Sequence, residues 1–435
     1  MTDARFEAVN ILVRIEKDKS YSAIAISDAL KKIHFSDQRE TSFAVSLIYG
    51  VLEHRLTLDY NISLYLKGSV NRVKSKVMNI IRVGAYQLLY LDKIPVSAAV
   101  NESVKISKKM GLSFASGMIN AVLRKIAENG LVLPDCEDPV FRMSVEYSVN
   151  ADIVAVLVRD YDFTVTENIL RSFSGRRPIY LRRNVSSCTE DEFIKLLSDE
   201  GVLLSKTSLQ DCFSVEHTGD ITSLLAFKKG YFHVQDMSSQ LCCRLLDARA
   251  DDVVLDCCAA PGGKSFTIAQ YLTGNGYIIS CDIYEHKAKL ISSGAERLNI
   301  KNLKAVVQDA RQLKESNIKA DKVLCDVPCS GFGVMGRKPE IRYKSNSDFC
   351  VLPGIQREIL YSAASCVKNR GTLIYSTCTL NSLENDAVCN QFLMDFPEFS
   401  VSEDTAYREL TDRFLTIFPD ENHGDGFFIA KFTKR

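Results

Sequence analysis

Two cysteines in this chain stand where chemistry, rather than packing, would place a thiol. Cys329 lies in the string Asp326-Val327-Pro328-Cys329-Ser330-Gly331, and Cys378 in Ser376-Thr377-Cys378-Thr379. Each string follows a short apolar run that reads as a β-strand, so each thiol falls just past a strand end. A thiolate there is a nucleophile, provided its surroundings favour the charged form over the ordinary thiol with a pKa of about 8.5. One reaction needs such a group beside a methyl donor. Carbon-5 of a pyrimidine attacks a methyl sulfonium poorly, but adding a thiolate to carbon-6 makes carbon-5 enamine-like. That is covalent catalysis, splitting one hard step into easier ones. Asp326, as a protonated carboxyl with a raised pKa, would hydrogen-bond nitrogen-3 of a cytosine and stabilise the adduct. Afterwards the carbon-5 proton must leave and the thiol must be eliminated, a step that a second cysteine could assist.

A second constellation precedes these. After another strand comes Asp256-Cys257-Cys258-Ala259-Ala260-Pro261-Gly262-Gly263-Lys264-Ser265. Small residues let backbone approach a ligand closely, and the helix that follows offers free N–H groups. A phosphate loop of the G-x-x-x-x-G-K-[ST] type would need glycine at position 258, where Cys258 stands. The dinucleotide fingerprint fails too, because the glycines are adjacent. A small adenosine-type cofactor fits better. Asp282, at the end of the next strand, can accept from both ribose hydroxyls, as in dinucleotide folds. Asp309, ending the strand after that, could bind the adenine amino group. The alternative is that both aspartates cap loops.

The elements that must position these groups alternate strand and helix. Strands are predicted at Val253–Leu255, Tyr277–Cys281, Leu303–Val307, Lys322–Cys325 and Gly371–Tyr375, with a helix over Glu285–Leu298. This alternation implies a doubly wound, largely parallel sheet over residues 236–435. Residues 176–235 read as a small α+β module, with strands near Ile179, Phe213 and Phe232 and a helix capped by Thr189. Residues 131–175 read as a linker or helical connector. The first 130 residues show only three- and four-residue apolar spacing, which predicts an all-helical bundle. Its buried centre is the run from Met78 to Leu91, and further helices are predicted at Val96–Met110 and Ala115–Ala127.

Composition narrows the setting. Hydrophobic residues at 46% and charged residues at 25% are ordinary for a soluble globular chain. No secretory leader and no apolar run of about 18 residues is apparent, so a cytoplasmic protein without membrane spans is expected. The fourteen cysteines sit mostly in apolar runs, as core residues do in a reducing compartment. They include no C-x-x-C pair, and the histidines lack ligand spacing, so no metal is expected. Lys plus Arg equals Asp plus Glu at 54 each, so any nucleic-acid contact must come from local patches. Candidates are Lys67, Arg72, Lys74, Lys76 and Arg82, in a stretch without acids; Arg176-Arg177 with Arg182-Arg183; and Arg337, Lys338 and Arg342. The bland reading of such runs is a solvated face.

Together these motifs resemble the NOL/NOP/Sun family of RNA cytosine-C5 methyltransferases. The resemblance rests on D-K-V-L-C-D-V-P-C-S-G at Asp321–Gly331 followed by G-R-K-P-E-I-R-Y, and on C-A-A-P-G-G-K at Cys258–Lys264. It extends to S-T-C-T with Glu384-Asn385, to G-D-G-F-F-I-A-K at Gly424–Lys431, and to V-Q-D-M-S-S-Q at Val234–Gln240. Residues 1–130 look like the NusB-type RNA-binding bundle fused in this family. The resemblance implies a class I, Rossmann-like methyltransferase using S-adenosylmethionine. It implies a 16S rRNA target, free or in an early assembly intermediate, at a cytosine such as position 967, and a monomeric enzyme. It also implies that Cys378 is the nucleophile, that Cys329 assists product release, and that Cys258 to Lys264, Asp282, Asp309 and Asp326 contact the cofactor or line its pocket. Departures are small: Cys257 beside Cys258, Ser265 for the usual Thr, Thr379 where Ser is common, and Ala320 where an aromatic or Val is usual. A tRNA enzyme of the same superfamily and a non-catalytic RNA-binding assembly or antitermination factor remain as rivals. A DNA cytosine methyltransferase would lack the Thr-Cys strand end and the helical bundle.

Overall fold

The computed structural model describes residues 3–18, 37–175, 177–215, 219–420 and 424–435; Arg176 lies outside them. The chain forms two compact units, Met1–Arg171 with Arg337–Asn346, and Ser172–Gly336 with Ser347–Arg435.

The first unit is helical because its apolar residues recur at helical spacing. The central helix, Ser75–Tyr90, buries Val77, Met78, Ile80, Ile81, Val83 and Ala85. It packs against helices Ala4–Asp18, Gln38–Glu53, Val96–Lys109 and Ser116–Asn129. Arg82 points inward from it and is only 8% exposed. Its guanidinium bonds both oxygens of Asp59, at 2.7 and 2.8 Å, and also Glu16. Arg82, expected to neutralise phosphate, is thus held by two carboxylates inside the bundle.

Residues 131–171, expected to form a connector, fall within this unit, and helices Pro139–Glu146 and Ala151–Ser172 follow the bundle, the second interrupted at Asp162, where φ is +69°. The segment Arg337–Asn346 also belongs to this unit. The Tyr343 hydroxyl donates to the Leu52 carbonyl and accepts from the Arg55 amide at 3.2 Å, while the Arg55 guanidinium lies 3.8 Å from the ring centre. Arg342 is buried and donates to the Tyr147 carbonyl at 2.9 Å. It therefore cannot grip RNA as expected, whereas Lys338 is exposed.

The second unit holds two sheets. The smaller has the order β2-β3-β1-β4, all antiparallel, from Ile179–Arg183 (β1), Leu204–Lys206 (β2), Cys212–Val215 (β3) and Phe232–Val234 (β4). Its helix Glu190–Asp199 starts at a Thr189–Glu192 capping box, the cap expected from sequence. The arginines here are structural as well. Arg177 donates to the Gly424 carbonyl at 3.1 Å, Arg182 to the Gln210 carbonyl at 2.9 Å, and Arg183 to Asp211 at 3.0 Å. The expected phosphate patch at 177, 182 and 183 is accordingly committed to internal bonds.

The larger sheet contains Val253–Asp256 (β5), Tyr277–Asp282 (β6), Leu303–Val307 (β7), Ala320–Asp326 (β8), Val367–Thr377 (β9), Phe399–Val401 (β10), Leu415–Ile417 (β11) and Phe427–Lys434 (β12). Its order is β10-β12-β9-β8-β5-β6-β7, with β11 beside β12. β5 to β9 pair in parallel, as expected, and β10 to β12 add an antiparallel edge. Both faces are covered. Leu255, Val323, Leu373, Tyr375 and Phe428 enter one core, and Val254, Leu324, Ile374 and Ile429 enter the other. Alternate residues face opposite sides, so strands buried on both faces read as continuous apolar runs. Cys257, Cys281, Cys325, Cys366 and Cys389 pack in the first core, and Cys242 and Cys243 in the second. All are reduced thiols acting as small hydrophobes.

Arg82→Met should destabilise the helical unit by about 3 kcal/mol, because Glu16 and Asp59 lose their counter-charge in a buried setting. Urea denaturation followed by helical circular dichroism measures this, and a loss below ~1 kcal/mol would contradict the role.

Candidate active site

The parallel pairing of β8 and β9 sets Asp326 opposite Ser376. The turns that follow are therefore neighbours, and they are bonded to each other. The Val327 amide donates to the Ser376 carbonyl at 3.1 Å, and the Gly333 amide to the Cys378 carbonyl at 3.0 Å. The hydroxyls of Ser330 and Thr379 meet at 2.6 Å. Between these ties the sulfurs of Cys329 and Cys378 lie 3.2 Å apart, both as reduced thiols. The hydrogen bond to the Cys378 sulfur, and then burial, hold the Cys329 thiol protonated well above the usual cysteine range. Either sulfur can donate in this contact; a Cys329 that keeps its proton would suit a pair with one nucleophile and one proton carrier.

Asp326 accepts from the Ser376 hydroxyl at 2.9 Å and from the Lys264 ammonium at 2.7 Å. Burial alone would push Lys264 toward the neutral amine, but the Asp326 charge outweighs it and holds the ammonium. Lys264 also sits 5.0 Å from the centre of the Phe427 ring. The neutral, donating form of Asp326 expected from sequence would need this ion pair to open. As found, Asp326 accepts on both oxygens, and the proton donor beside it is Lys264.

The small-residue loop is fixed from below. The Cys257 amide donates to the Leu324 carbonyl at 2.9 Å, and the Ala259 amide to the Cys281 carbonyl at 2.8 Å. The loop therefore crosses the ends of β8 and β6, beside Asp326 and Asp282. The Ala260–Pro261 bond is cis, and Gly262 has φ +112°, a left-handed conformation natural to glycine. A Cβ on Gly262 would meet the Phe266 ring at 2.4 Å. Beneath the loop Asp256 is wholly buried and accepts from Ser265 at 2.7 Å, while its second oxygen has no hydrogen-bond partner. Burial, reinforced by the Asp326 charge, pushes its carboxyl up to about 7.

Asp282 accepts from the Tyr284 amide at 3.1 Å, with Lys287 3.9 Å away. Asp309 caps the turn Ala310–Glu315 and pairs with Arg311 at 2.7 Å, which lowers its pKa. The donor set fits an adenosine-type cofactor. Carboxylates end the consecutive strands β6 and β7 beside a loop too tight for side chains. Asp282 has capacity left for ribose hydroxyls, whereas Asp309 must exchange Arg311 to meet an adenine amine. Sequence reasoning assigned no role to Ser376, Gln356 or Glu384, which surround the thiols; Glu384 entered only as part of a motif. Ser376 lies within β9, Gln356 on the helix Leu352–Ala364 and Glu384 in the loop after β9, and their convergence on one turn is made by tertiary contacts that a sequence does not display.

Comparison with known proteins bears on what this arrangement serves. Residues 243–433 match the family model for 16S rRNA methyltransferase RsmB/F, and residues 2–128 match the NusB family. The chain is 36% identical, over 100% of its length and 99% of the relative's, to a probable ribosomal RNA small subunit methyltransferase B of Bacillus subtilis. The chain belongs to the ribosomal RNA small subunit methyltransferase B family. A second relative with that description, from Synechocystis, is 32% identical over the full length of both. Among solved structures the fold resembles that of PH0851, at a TM-score of 0.84, 24% identity, and 100% and 99% of the two chains. It also resembles NSun6 from Pyrococcus horikoshii with SFG, at 0.59, 22% identity, and 65% and 97%.

Asp256 generates a pH prediction. Its folded pKa lies above its ordinary value of 3.8, so its contribution to stability is complete below that value and is lost as pH rises through about 7. Between about pH 5 and pH 8, wild type should lose stability relative to Asp256→Asn. Parallel denaturation midpoints for the two proteins across that range would disprove it.

Proposed function

We propose that this chain transfers a methyl group from S-adenosylmethionine to carbon-5 of a cytosine in small-subunit rRNA, through a covalent adduct on Cys378. The observation that carries this reading is the pair of reduced thiols 3.2 Å apart at the carboxyl edge of the parallel strands. The rRNA target follows from the relatives' descriptions, and the resemblance points to cytosine 967 of 16S rRNA.

When bound, S-adenosylmethionine supplies an electrophilic methyl group. The loop Cys258–Lys264 would hold it with Asp282 on the ribose and Asp309 toward the adenine. Cys378 adds to carbon-6 of the base, and the charge that develops on the ring is met by Lys264, oriented by Asp326. After transfer, solvent water takes the carbon-5 proton, the electron pair of that bond forms the carbon-5–carbon-6 double bond, and the sulfur–carbon bond breaks with Cys378 leaving as a thiolate. The Cys329 thiol then donates its hydrogen bond to the departing Cys378 sulfur.

RNA outside the site would be gripped by the exposed Lys67, Arg72, Lys74 and Lys76 of the helical unit. Beside them Phe114 is 72% exposed, with the Lys74 ammonium 5.3 Å from its ring centre. Cations around an exposed aromatic ring make a platform for phosphates and a stacked base.

Cys378→Ala should abolish methylation, and Cys329→Ala should leave an RNA–protein adduct that survives denaturing gels. An adduct in Cys378→Ala with Cys329 intact would reverse the assignment. Bisulfite mapping of rRNA and tRNA from cells with and without the protein identifies the base; an unchanged rRNA pattern would refute the target. Reversing Lys74 and Lys76 to Glu should flatten the salt dependence of RNA binding, lowering its log–log slope by about 0.7 for each phosphate no longer neutralised.

A further inference from the structure

We propose that Glu384 is a positioning residue for product release: its carboxylate clamps the turn that keeps the Cys329 thiol against the Cys378 sulfur. The inference rests on the covalent reading above.

Glu384 has no exposed surface. One carboxylate oxygen accepts from the Ser330 amide at 2.9 Å and from the Gln356 side-chain amide at 2.8 Å. The other accepts from Asn381 at 2.9 Å. The same Gln356 nitrogen donates to the Pro328 carbonyl at 3.0 Å. The backbone groups on either side of Cys329, the carbonyl before it and the amide after it, are thus fixed by one Glu–Gln pair. Gln356 comes from the helix Leu352–Ala364 and is itself wholly buried.

The loop that carries Glu384 is anchored to the Cys378 side. The Tyr375 hydroxyl, from β9, donates to the Glu384 carbonyl at 2.6 Å. Asn385 accepts from Thr377 at 2.7 Å and donates to the Thr379 carbonyl at 3.0 Å, bracketing Cys378. Adjacent residues therefore register the two cysteine turns against each other, Glu384 holding one and Asn385 the other.

A purely structural clamp could be neutral. Burying a carboxylate with three neutral donors is costly, since a buried charge needs full compensation. What the charge adds is its field at Cys329, where it helps keep the thiol protonated. A protonated Cys329 is the form that can donate to a leaving sulfur.

The test is single-turnover methylation of an rRNA fragment. Adduct formation and adduct breakdown are followed separately on denaturing gels, with S-adenosylhomocysteine affinity as a check on the fold of the cofactor site. In Glu384→Ala, formation should stay within a few-fold of wild type, while breakdown slows by on the order of tenfold to a hundredfold, the worth of one or two hydrogen bonds to a charged group. Glu384→Gln, which keeps an acceptor for Ser330 without the charge, should fall between. Gln356→Met, which removes the shared donor but keeps the bulk, should also accumulate adduct and serves if Glu384→Ala does not fold. Added to Cys329→Ala, Glu384→Ala should slow breakdown no further, because it acts through that thiol. Equal slowing of formation and breakdown, or additive slowing in the double variant, overturns the inference. An adduct in Cys329→Ala but none in Glu384→Ala or Gln356→Met overturns it alone. No adduct in any variant overturns the covalent reading and takes this inference with it.

Discussion

The site depends on the register between two parallel strands. Asp326 on β8 stands opposite Ser376 on β9, and the candidate site is counted from that pair. A slip of one residue would turn the alternating side chains to the wrong faces. Asp326 would leave Lys264, and the turns bearing the thiols would no longer meet. The register is protected because both strands are buried on both faces, with Val323, Cys325, Leu373 and Tyr375 committed to one core and Leu324 and Ile374 to the other. Apolar burial away from the thiols thus fixes a sulfur–sulfur approach that no covalent bond enforces.

Around this register the molecule concentrates buried and half-buried ionisable groups. Asp256, Lys264, Asp326 and Glu384 lie at or beneath the loops that follow β5, β8 and β9. The three carboxylates are held by specific donors, save one oxygen of Asp256, and Lys264 donates to Asp326. Such groups are poor sources of stability, since desolvation offsets most of what pairing returns. They cluster at the carboxyl edge, while the sheet interior is apolar, an arrangement in keeping with the function proposed above.

The strand ends were legible in the sequence because periodicity and small-residue loops are local signals. Cys329, Cys378, Asp282 and the loop from Cys258 to Lys264 could all be singled out for that reason. The short strands β2, β10 and β11, of three residues each, were not legible, although β4, equally short, was; segments of this length carry little pattern of their own and are defined by their partners. The basic residues misled for a related reason. Arg82, Arg177, Arg182, Arg183 and Arg342 look in sequence like a surface that attracts phosphate. Their partners, among them Asp59, Gly424, Gln210, Asp211 and Tyr147, arrive from distant segments, and only the folded chain shows that the guanidinium is already occupied. Glu384 was overlooked from the opposite side, as a carboxylate that belongs inside.

The segment Arg337–Asn346 lies in the middle of the methyltransferase sequence yet belongs to the helical unit, with Ile341 and Arg342 buried. The helical unit is therefore not an appendage that could be trimmed at a single point. Cutting the chain before Ser172 would leave Tyr343 without the Leu52 carbonyl and the Arg55 side chain that it engages, and would leave Arg342 without the Tyr147 carbonyl.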